Sequence, residues 1–146
     1  MEQTRIQSDS PGVASREVRI LIVEDETLLS WSLAHRLLKA GFIVTTVDAG
    51  DKAIEELASK DFDLVITDMK LPHIDGLEIV ARIKIRSPRM PVIMISALPD
   101  DAVRDSLEQM HIDHLVEKPF DLDEMTSMVE ALVRGPAEPT LQRSGL

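Results

Sequence analysis

The first apolar run of the chain reads Val18-Arg19-Ile20-Leu21-Ile22-Val23-Glu24-Asp25. Three later runs have the same design and read Leu64-Val65-Ile66-Thr67-Asp68, Pro91-Val92-Ile93-Met94-Ile95-Ser96 and His114-Leu115-Val116-Glu117-Lys118. Each is predicted to be a buried strand that stops at residues able to handle a metal ion or a phosphoryl group. Parallel strands bring such ends together at one edge of a sheet, which is where open α/β sheets bind ligands.

Strand patterns alternate with helical patterns along the chain. The strand patterns lie near 18–23, 42–47, 63–67, 91–95 and 113–117, and the helical patterns near 26–40, 51–60, 76–86, 100–110 and 121–134. Gly41 fits a helix end and Asp121 a helix start. Strands separated by helices indicate βαβ units, and right-handed crossovers place helices on both faces. We therefore expect a doubly wound parallel α/β domain.

The composition is that of one globular domain, with 146 residues, 44% hydrophobic and 29% charged. A net charge of −10 argues against direct nucleic-acid binding, which needs a basic face. There is no cysteine, no run approaching 18 apolar residues and no signal-like start, so we expect no disulfide, no membrane segment and a cytoplasmic location. We expect a domain over 18–134 between a flexible arm, 1–17, and a flexible tail, 135–146.

Three carboxylates are expected at one edge of the sheet, because Glu24 and Asp25 follow the first strand and Asp68 ends the third. Anions that lie close together raise one another's pKa values, and a divalent cation removes that cost. Mg²⁺ takes oxygen ligands and usually keeps several waters, one of which a phosphoryl oxygen can replace. The acids therefore predict a magnesium site; the alternative is that they only cap strands and solvate loops.

Ser96 and Lys118 end two further strands of the predicted sheet. Lys118 precedes Pro119, and residues before proline avoid the α region, so Lys118 is expected to be extended at the sheet edge. Its ammonium group can pair with carboxylates and phosphoryl oxygens, and the Ser96 hydroxyl can donate to a phosphoryl oxygen. Together with the acids, these groups favour a metal-assisted acyl-phosphate site.

Four pieces of the sequence stand out in combination. They read Leu21-Ile22-Val23-Glu24-Asp25-Glu26, Asp68-Met69-Lys70-Leu71-Pro72-His73-Ile74-Asp75-Gly76-Leu77, Ile95-Ser96-Ala97 and Lys118-Pro119-Phe120. With these pieces, residues 18–134 closely resemble the receiver domain of two-component response regulators. The resemblance implies a flavodoxin-like (βα)5 fold with strand order 2-1-3-4-5.

The resemblance also implies roles for particular positions. Asp68 would accept a phosphoryl group from a phosphohistidine of a histidine kinase or phosphotransfer protein. Glu24, which stands where aspartate is common, and Asp25 would bind Mg²⁺. The Asp68 carboxylate and the backbone carbonyl of Lys70 would complete the protein ligands. Lys118 would bond to the phosphoryl group.

The switch that follows phosphorylation departs from the usual pattern of the family. Ser96 would be the switch hydroxyl, but Leu115 stands where common receivers carry an aromatic residue. We expect Leu115 to stay packed in both states, and His114 to be exposed and without a role. Lys70 and Leu98 occupy positions that border the phosphoryl site in this family and affect its hydrolysis.

The first predicted helix has two apolar stripes, although a surface helix normally needs one. The stripe with core spacing consists of Leu29, Leu33, Leu37 and Ala40, and the second of Leu28, Trp31 and Leu38. In receivers this helix contributes to docking on kinases or phosphotransfer domains. The second stripe is therefore predicted to belong to that interface, with Trp31 as its anchor. The alternative is that the last helix covers it with Met125, Met128 and Leu132.

Three functions compete. The leading one is a stand-alone phosphoacceptor, without enzymatic action on other substrates, that signals to an unknown output protein through phosphorylation-dependent contacts. The second is a phosphorylation-independent interaction module on the same fold, which Leu115 favours mildly. The third is an aspartyl-phosphate phosphohydrolase, which Lys70 disfavours because such enzymes need a second acid there. The four histidines show no ligand spacing typical of a transition-metal site.

Overall fold

The computed structural model describes residues 17–97, 100–112 and 114–135. The predicted arm and tail lie outside the described residues except for Glu17 and Gly135, and Leu98 lies outside them too. The domain bounds of 18–134 stay a prediction.

Ten elements alternate along the described chain. They are β1 (Arg19–Val23), α1 (Thr27–Lys39), β2 (Ile43–Val47), α2 (Gly50–Ser59), β3 (Leu64–Asp68), α3 (Gly76–Arg86), β4 (Val92–Ser96), α4 (Asp101–Gln109), β5 (His114–Glu117) and α5 (Leu122–Arg134). The strands form one parallel sheet in the order β2-β1-β3-β4-β5, which confirms the predicted flavodoxin-like topology. None of the described helices is long and apolar enough to cross a membrane.

The sheet is covered on both faces, so its central strands are apolar on both sides. Alternate residues of β1 enter two separate core clusters. One cluster joins the sheet to α1 and α5 and includes Ile20, Ile22, Leu33, Leu37 and Met125. The other joins it to α2, α3 and α4 and includes Leu21, Val23, Ala53, Ile79 and Leu107. This double burial explains why β1, β3 and β4 read as continuous apolar runs.

The prediction that all four apolar runs are buried is wrong for β5. Its residues are half-buried or exposed, whereas every residue of β3 and β4 is buried. The physical reason is its position, since β5 is an edge strand with β4 as its single neighbour. His114 is half-buried for the same reason and is not the exposed residue that we expected.

Local chemistry sets the ends of the helices. Asp75, Asp100 and Asp121 begin α3, α4 and α5, and each accepts hydrogen bonds from backbone N–H groups of the first turn. The start predicted at Asp121 is thereby confirmed. Gly41 follows α1 with φ of 98°, a left-handed conformation that glycine adopts without strain.

Gly76 holds the loop between β3 and α3 close to the sheet. Its N–H donates to Met69 O at 2.8 Å. A Cβ at this position would lie 2.3 Å from Asp68 O, which is far too close for a real contact. The absence of a side chain therefore lets the loop turn directly beyond the end of β3.

Candidate functional site

The structure brings the three predicted acids together. Glu24, Asp25 and Asp68 each offer one carboxylate oxygen, and these oxygens all lie within 4.8 Å of one another. The parallel pairing of β1 with β3 is the cause, because the register aligns Val23 with Thr67, so that Glu24, which follows β1, lies beside Asp68, the last residue of β3. Glu24 and Asp68 are buried and Asp25 is exposed, so the cluster opens to solvent on one side.

Lys118 reaches this cluster from the loop after β5. Its Nζ donates to Asp68 Oδ2 at 2.8 Å and to Glu26 Oε1 at 3.2 Å, and it lies 3.3 Å from Glu24 Oε1. The backbone N–H of Lys118 donates to Ser96 O at 2.9 Å, which anchors the residue to the end of β4. The peptide bond between Lys118 and Pro119 is cis.

The electrostatic state of the cluster follows from burial and from these contacts. Burial raises the pKa of Glu24 to about 7, and the Asp68 carboxylate adds to the rise, while the Glu26 N–H and Lys118 oppose it. Burial by itself lowers the pKa of Lys118, but the hydrogen bond and charge of Asp68, together with Glu24 and Glu26, hold it above its usual value. One ammonium group thus faces more carboxylates than it can neutralise.

Glu24 Oε1 is a specific sign that a cation fits this place. This oxygen is buried and accepts no hydrogen bond within the described chain, although the Lys118 ammonium lies 3.3 Å away. A buried carboxylate oxygen without a donor is costly, and coordination to a metal ion removes the cost. The donor set consists of oxygens alone, which suits Mg²⁺. Lys70, whose carbonyl is the other predicted ligand, lies exposed in the loop that follows β3.

Ser96 and Leu115 lie on neighbouring strands beside the cluster. Ser96 is buried at the end of β4, and the register pairs Asp68 with Ile95, the residue before it. Leu115 is half-buried and packs against the core cluster that faces α2, α3 and α4. An aliphatic side chain therefore fills part of the core at the position where common receivers carry an aromatic residue.

The second stripe of α1 is exposed. Leu28, Trp31 and Leu38 are 76%, 62% and 53% exposed, so α5 does not cover them. The three α5 residues considered for that role pack instead in the core cluster beneath α1. Trp31 stacks on His35, with ring centroids 5.0 Å apart and planes inclined by 6°.

A cavity of about 450 Å³ connects this stripe with the acids. Its lining includes Glu24, Asp25 and Trp31, together with Asp48, which follows β2, and Lys52 in the first turn of α2. Sequence reasoning missed this cavity, the stack of Trp31 on His35 and the contact of Glu26 with Lys118. For Glu26, the one signal in the sequence was its position directly after Glu24 and Asp25.

The fold and the cluster define a flavodoxin-like domain with an acidic pocket, suited to binding a cation, at the carboxyl ends of its strands. A family model for the response regulator receiver domain matches residues 20–130. The chain therefore belongs to the receiver domain family of two-component systems, whose members are signalling domains.

Relatives and solved structures agree with this assignment. The DNA-binding transcriptional regulator NtrC of Escherichia coli K12 is 37% identical over 115 residues, which cover 78% of this chain and 24% of that protein. The transcriptional regulatory protein TcrA of Mycobacterium tuberculosis H37Rv is 38% identical over 153 aligned positions, which cover 99% of this chain and 60% of TcrA. The chain thus spans about a quarter of the first relative and three-fifths of the second.

Two solved structures share the fold. A CheY-like receiver domain protein from Methanospirillum hungatei superimposes with a TM-score of 0.78 at 22% identity, over 82% of this chain and 95% of that one. The non-phosphorylated HemR receiver domain of Leptospira biflexa superimposes with a TM-score of 0.76 at 25% identity, over 86% of this chain and 100% of that one.

Proposed function

We propose that Asp68 accepts a phosphoryl group from a phosphohistidine of a histidine kinase or phosphotransfer protein in a Mg²⁺-dependent reaction. The observation that carries the proposal is the Lys118 ammonium at 2.8 Å from Asp68 Oδ2, within the cluster of acids. The site thus holds a nucleophile, Asp68, a cation for the phosphoryl oxygens, Lys118, and oxygen ligands for Mg²⁺ within a few ångströms of one another.

The chemistry is a displacement at phosphorus. A carboxylate oxygen of Asp68 forms the new P–O bond while the P–N bond of the donor breaks, and the released imidazole keeps the electron pair and takes a proton. Lys118 donates to a phosphoryl oxygen and offsets its negative charge. Glu24, Asp25, the Asp68 carboxylate and the Lys70 carbonyl would hold Mg²⁺, which supplies further positive charge when bound.

The phosphorylated state signals by changing the surface near β4 and β5. The Ser96 hydroxyl moves to donate to the phosphoryl group. Leu115 stays packed against the core in both states, so the change does not use burial of an aromatic ring. The altered surface contacts an output partner. Under the stand-alone arrangement predicted above, that partner would be a separate protein.

Docking of the phosphodonor uses the exposed stripe of Leu28, Trp31 and Leu38. The stripe adjoins the cavity that leads to Glu24 and Asp25, and tryptophan is a favoured anchor of interfaces. We expect Trp31→Ala to slow transfer from a cognate kinase but not phosphorylation by a small phosphodonor. Glu55→Ala, which shortens an exposed side chain of α2 outside the stripe, serves as the control. Unchanged transfer in Trp31→Ala would remove the stripe from the interface.

Intact-mass spectrometry tests the phosphoacceptor proposal. The wild type and Asp68→Asn are incubated with Mg²⁺ and a small phosphodonor, with and without a chelator. We expect a hydrolysable gain of one phosphoryl group in the wild type alone, and only with Mg²⁺. If the folded wild type gains nothing from the small donor or from a kinase phosphohistidine, the phosphorylation-independent module replaces this proposal.

A further inference from the structure

A groove of about 360 Å³ lies between α2 and α3, near the amino ends of β3 and β4. The large apolar residues of its lining are Ile54, Leu57, Phe62, Ile83, Ile85 and Met90. Ile85 is 83% exposed, more than any other large hydrophobic residue of the described chain. We call this surface the basic groove, because its rim carries Lys60, Arg82 and Arg86.

The cations of the rim are available to a ligand. Arg86 donates to the neutral carbonyl of Leu57 at 3.1 Å, and its side chain is exposed. Arg82 forms an exposed pair with Glu78 one helical turn away, and such pairs contribute little and exchange for other anions. Lys60 pairs with Glu56, whose side chain is partly buried. Asp61 is the single acid among the lining residues.

Positive charge extends beyond the groove. A second cavity, of about 170 Å³, shares Met90 with it, and the cations in its lining are Lys84 and Arg89. Residues 79–99 contain four basic and no acidic residues in a chain of net charge −10. A basic region of this size in an acidic protein favours approach of a negatively charged partner at this end.

We propose that the basic groove binds an acidic amphipathic segment of another protein. A large apolar side chain of the segment enters the groove and contacts Ile85 and Met90, while its carboxylates pair with Arg82 and Arg86. Arginine suits this role because its planar fork binds carboxylates with two hydrogen bonds. A nucleic acid is a poorer occupant, because the net charge of −10 repels a polyanion more strongly than a segment with a few carboxylates.

The groove is separate from the proposed phosphoacceptor site. Phe62 and Met90 precede β3 and β4, whereas Asp68 ends β3. Five-residue strands span roughly 15 Å, so a ligand in the groove leaves Asp68 accessible. Docking here can therefore hold a partner in place while phosphorylation proceeds at the opposite end, and it does not depend on that chemistry.

Fluorescence anisotropy with the full chain tests the proposal. The probe is a fluorescein-labelled helical peptide with leucine and phenylalanine on one face and glutamate on the other. Control peptides replace glutamate by glutamine or the apolar residues by serine. The protein variants are Ile85→Ser and Arg86→Glu. The matched control is Lys39→Glu, which reverses an exposed cation in the last turn of α1, outside both the basic groove and the exposed stripe.

We expect the acidic peptide to bind the wild type, and each groove variant to weaken binding about tenfold or more, as loss of one anchor contact would. Lys39→Glu should bind as the wild type does, and both control peptides should bind less well. Added salt should weaken binding. Absence of binding, equal binding of the glutamine peptide or equal loss in Lys39→Glu would overturn the proposal. Tighter binding of duplex DNA than of the peptide would do so too.

Discussion

Lys118 and Lys84 lie at opposite ends of the sheet and have different kinds of partner. The Lys118 ammonium lies within 3.5 Å of three carboxylates, the nearest being that of Asp68 at 2.8 Å. Lys84 donates to two backbone carbonyls of the loop after α3, at 3.1 and 3.3 Å. The first lysine offsets side-chain charge, and the second satisfies carbonyl oxygens near the end of a helix. Similar side chains thus perform different physical tasks at the two ends.

The parallel architecture itself separates charge between these ends. All five helices begin near the carboxyl ends of the strands, where aspartates accept hydrogen bonds from three of them. Their last turns carry Arg36, Lys39, Lys84, Arg86 and Arg134. Both preferences follow from the unpaired groups and the dipole of a helix. Opposite charge at the two ends is therefore expected for any such fold and is not by itself a sign of function.

Function is indicated by the charges that helix ends do not explain. Glu24, Asp68 and Lys118 cap no helix, and two of the three are buried. Burial of several charges is costly unless they are paired or coordinate a cation. The acid cluster at the carboxyl ends of the strands has this energetic cost, whereas the cations of the basic groove remain exposed to solvent.

The largest expected effect concerns phosphoryl transfer at the carboxyl end. We expect Lys118→Met to slow phosphorylation of Asp68 by about 100- to 1,000-fold, which is the effect of removing one charge-stabilising donor from the active site of an enzyme. The measurement is the rate of mass gain with a small phosphodonor. Lys39→Met removes an exposed cation near the other end and should leave the rate unchanged. Equal rates in the two variants would contradict the assigned role of Lys118.

Glycine substitutions compare the packing of the two ends. Gly76→Ala should lower the free energy of unfolding by about 3 kcal/mol, because the new Cβ would lie 2.3 Å from Asp68 O. Gly41→Ala meets nothing closer than 4.0 Å and suffers only from its positive φ, which costs about 1 to 2 kcal/mol. Urea unfolding with a chelator present measures both. The comparison fails if Gly41→Ala is the more damaging change.

The raised pKa of Glu24 predicts a pH dependence of stability. Without metal, the folded protein keeps the Glu24 proton up to about pH 7, whereas the unfolded chain loses it near pH 4.5. The folded state therefore binds more protons between these values, and stability falls as pH rises through this window. Across this pH window, the free energy of unfolding of the wild type should fall by on the order of 2 kcal/mol relative to that of Glu24→Gln. Parallel stability curves for the two proteins would show that burial imposes no such cost.

Much of the fold and of the acid cluster is readable from the sequence. The bounds of the elements agree with their predictions to within one residue. The reason is that the periodicity of apolar residues, the capping aspartates and the glycine after α1 all mark the same boundaries. The meeting of Glu24, Asp25 and Asp68 follows from parallel strands that end in acids. The order of the strands came from the family resemblance, since periodicity alone does not define which strands are neighbours.

Other features depend on geometry that no local pattern encodes. The half-burial of β5 follows from its edge position, and strand propensity does not report that position. The contact of Glu26 with Lys118 joins side chains 92 residues apart and depends on the path of two loops. The basic groove was missed because its apolar and basic residues come from both α2 and α3 and the loops after them.

Localisation of the phosphoryl group tests the central claim most directly. The protein is phosphorylated with Mg²⁺ and a small phosphodonor, reduced with borohydride and digested, and the peptides are sequenced by mass spectrometry. Borohydride converts an aspartyl phosphate to homoserine, which marks the acceptor permanently. The account predicts homoserine at position 68, dependent on Mg²⁺ and strongly reduced in Lys118→Met. A mark at another residue, or a Mg²⁺-binding folded protein with no mark, would contradict it.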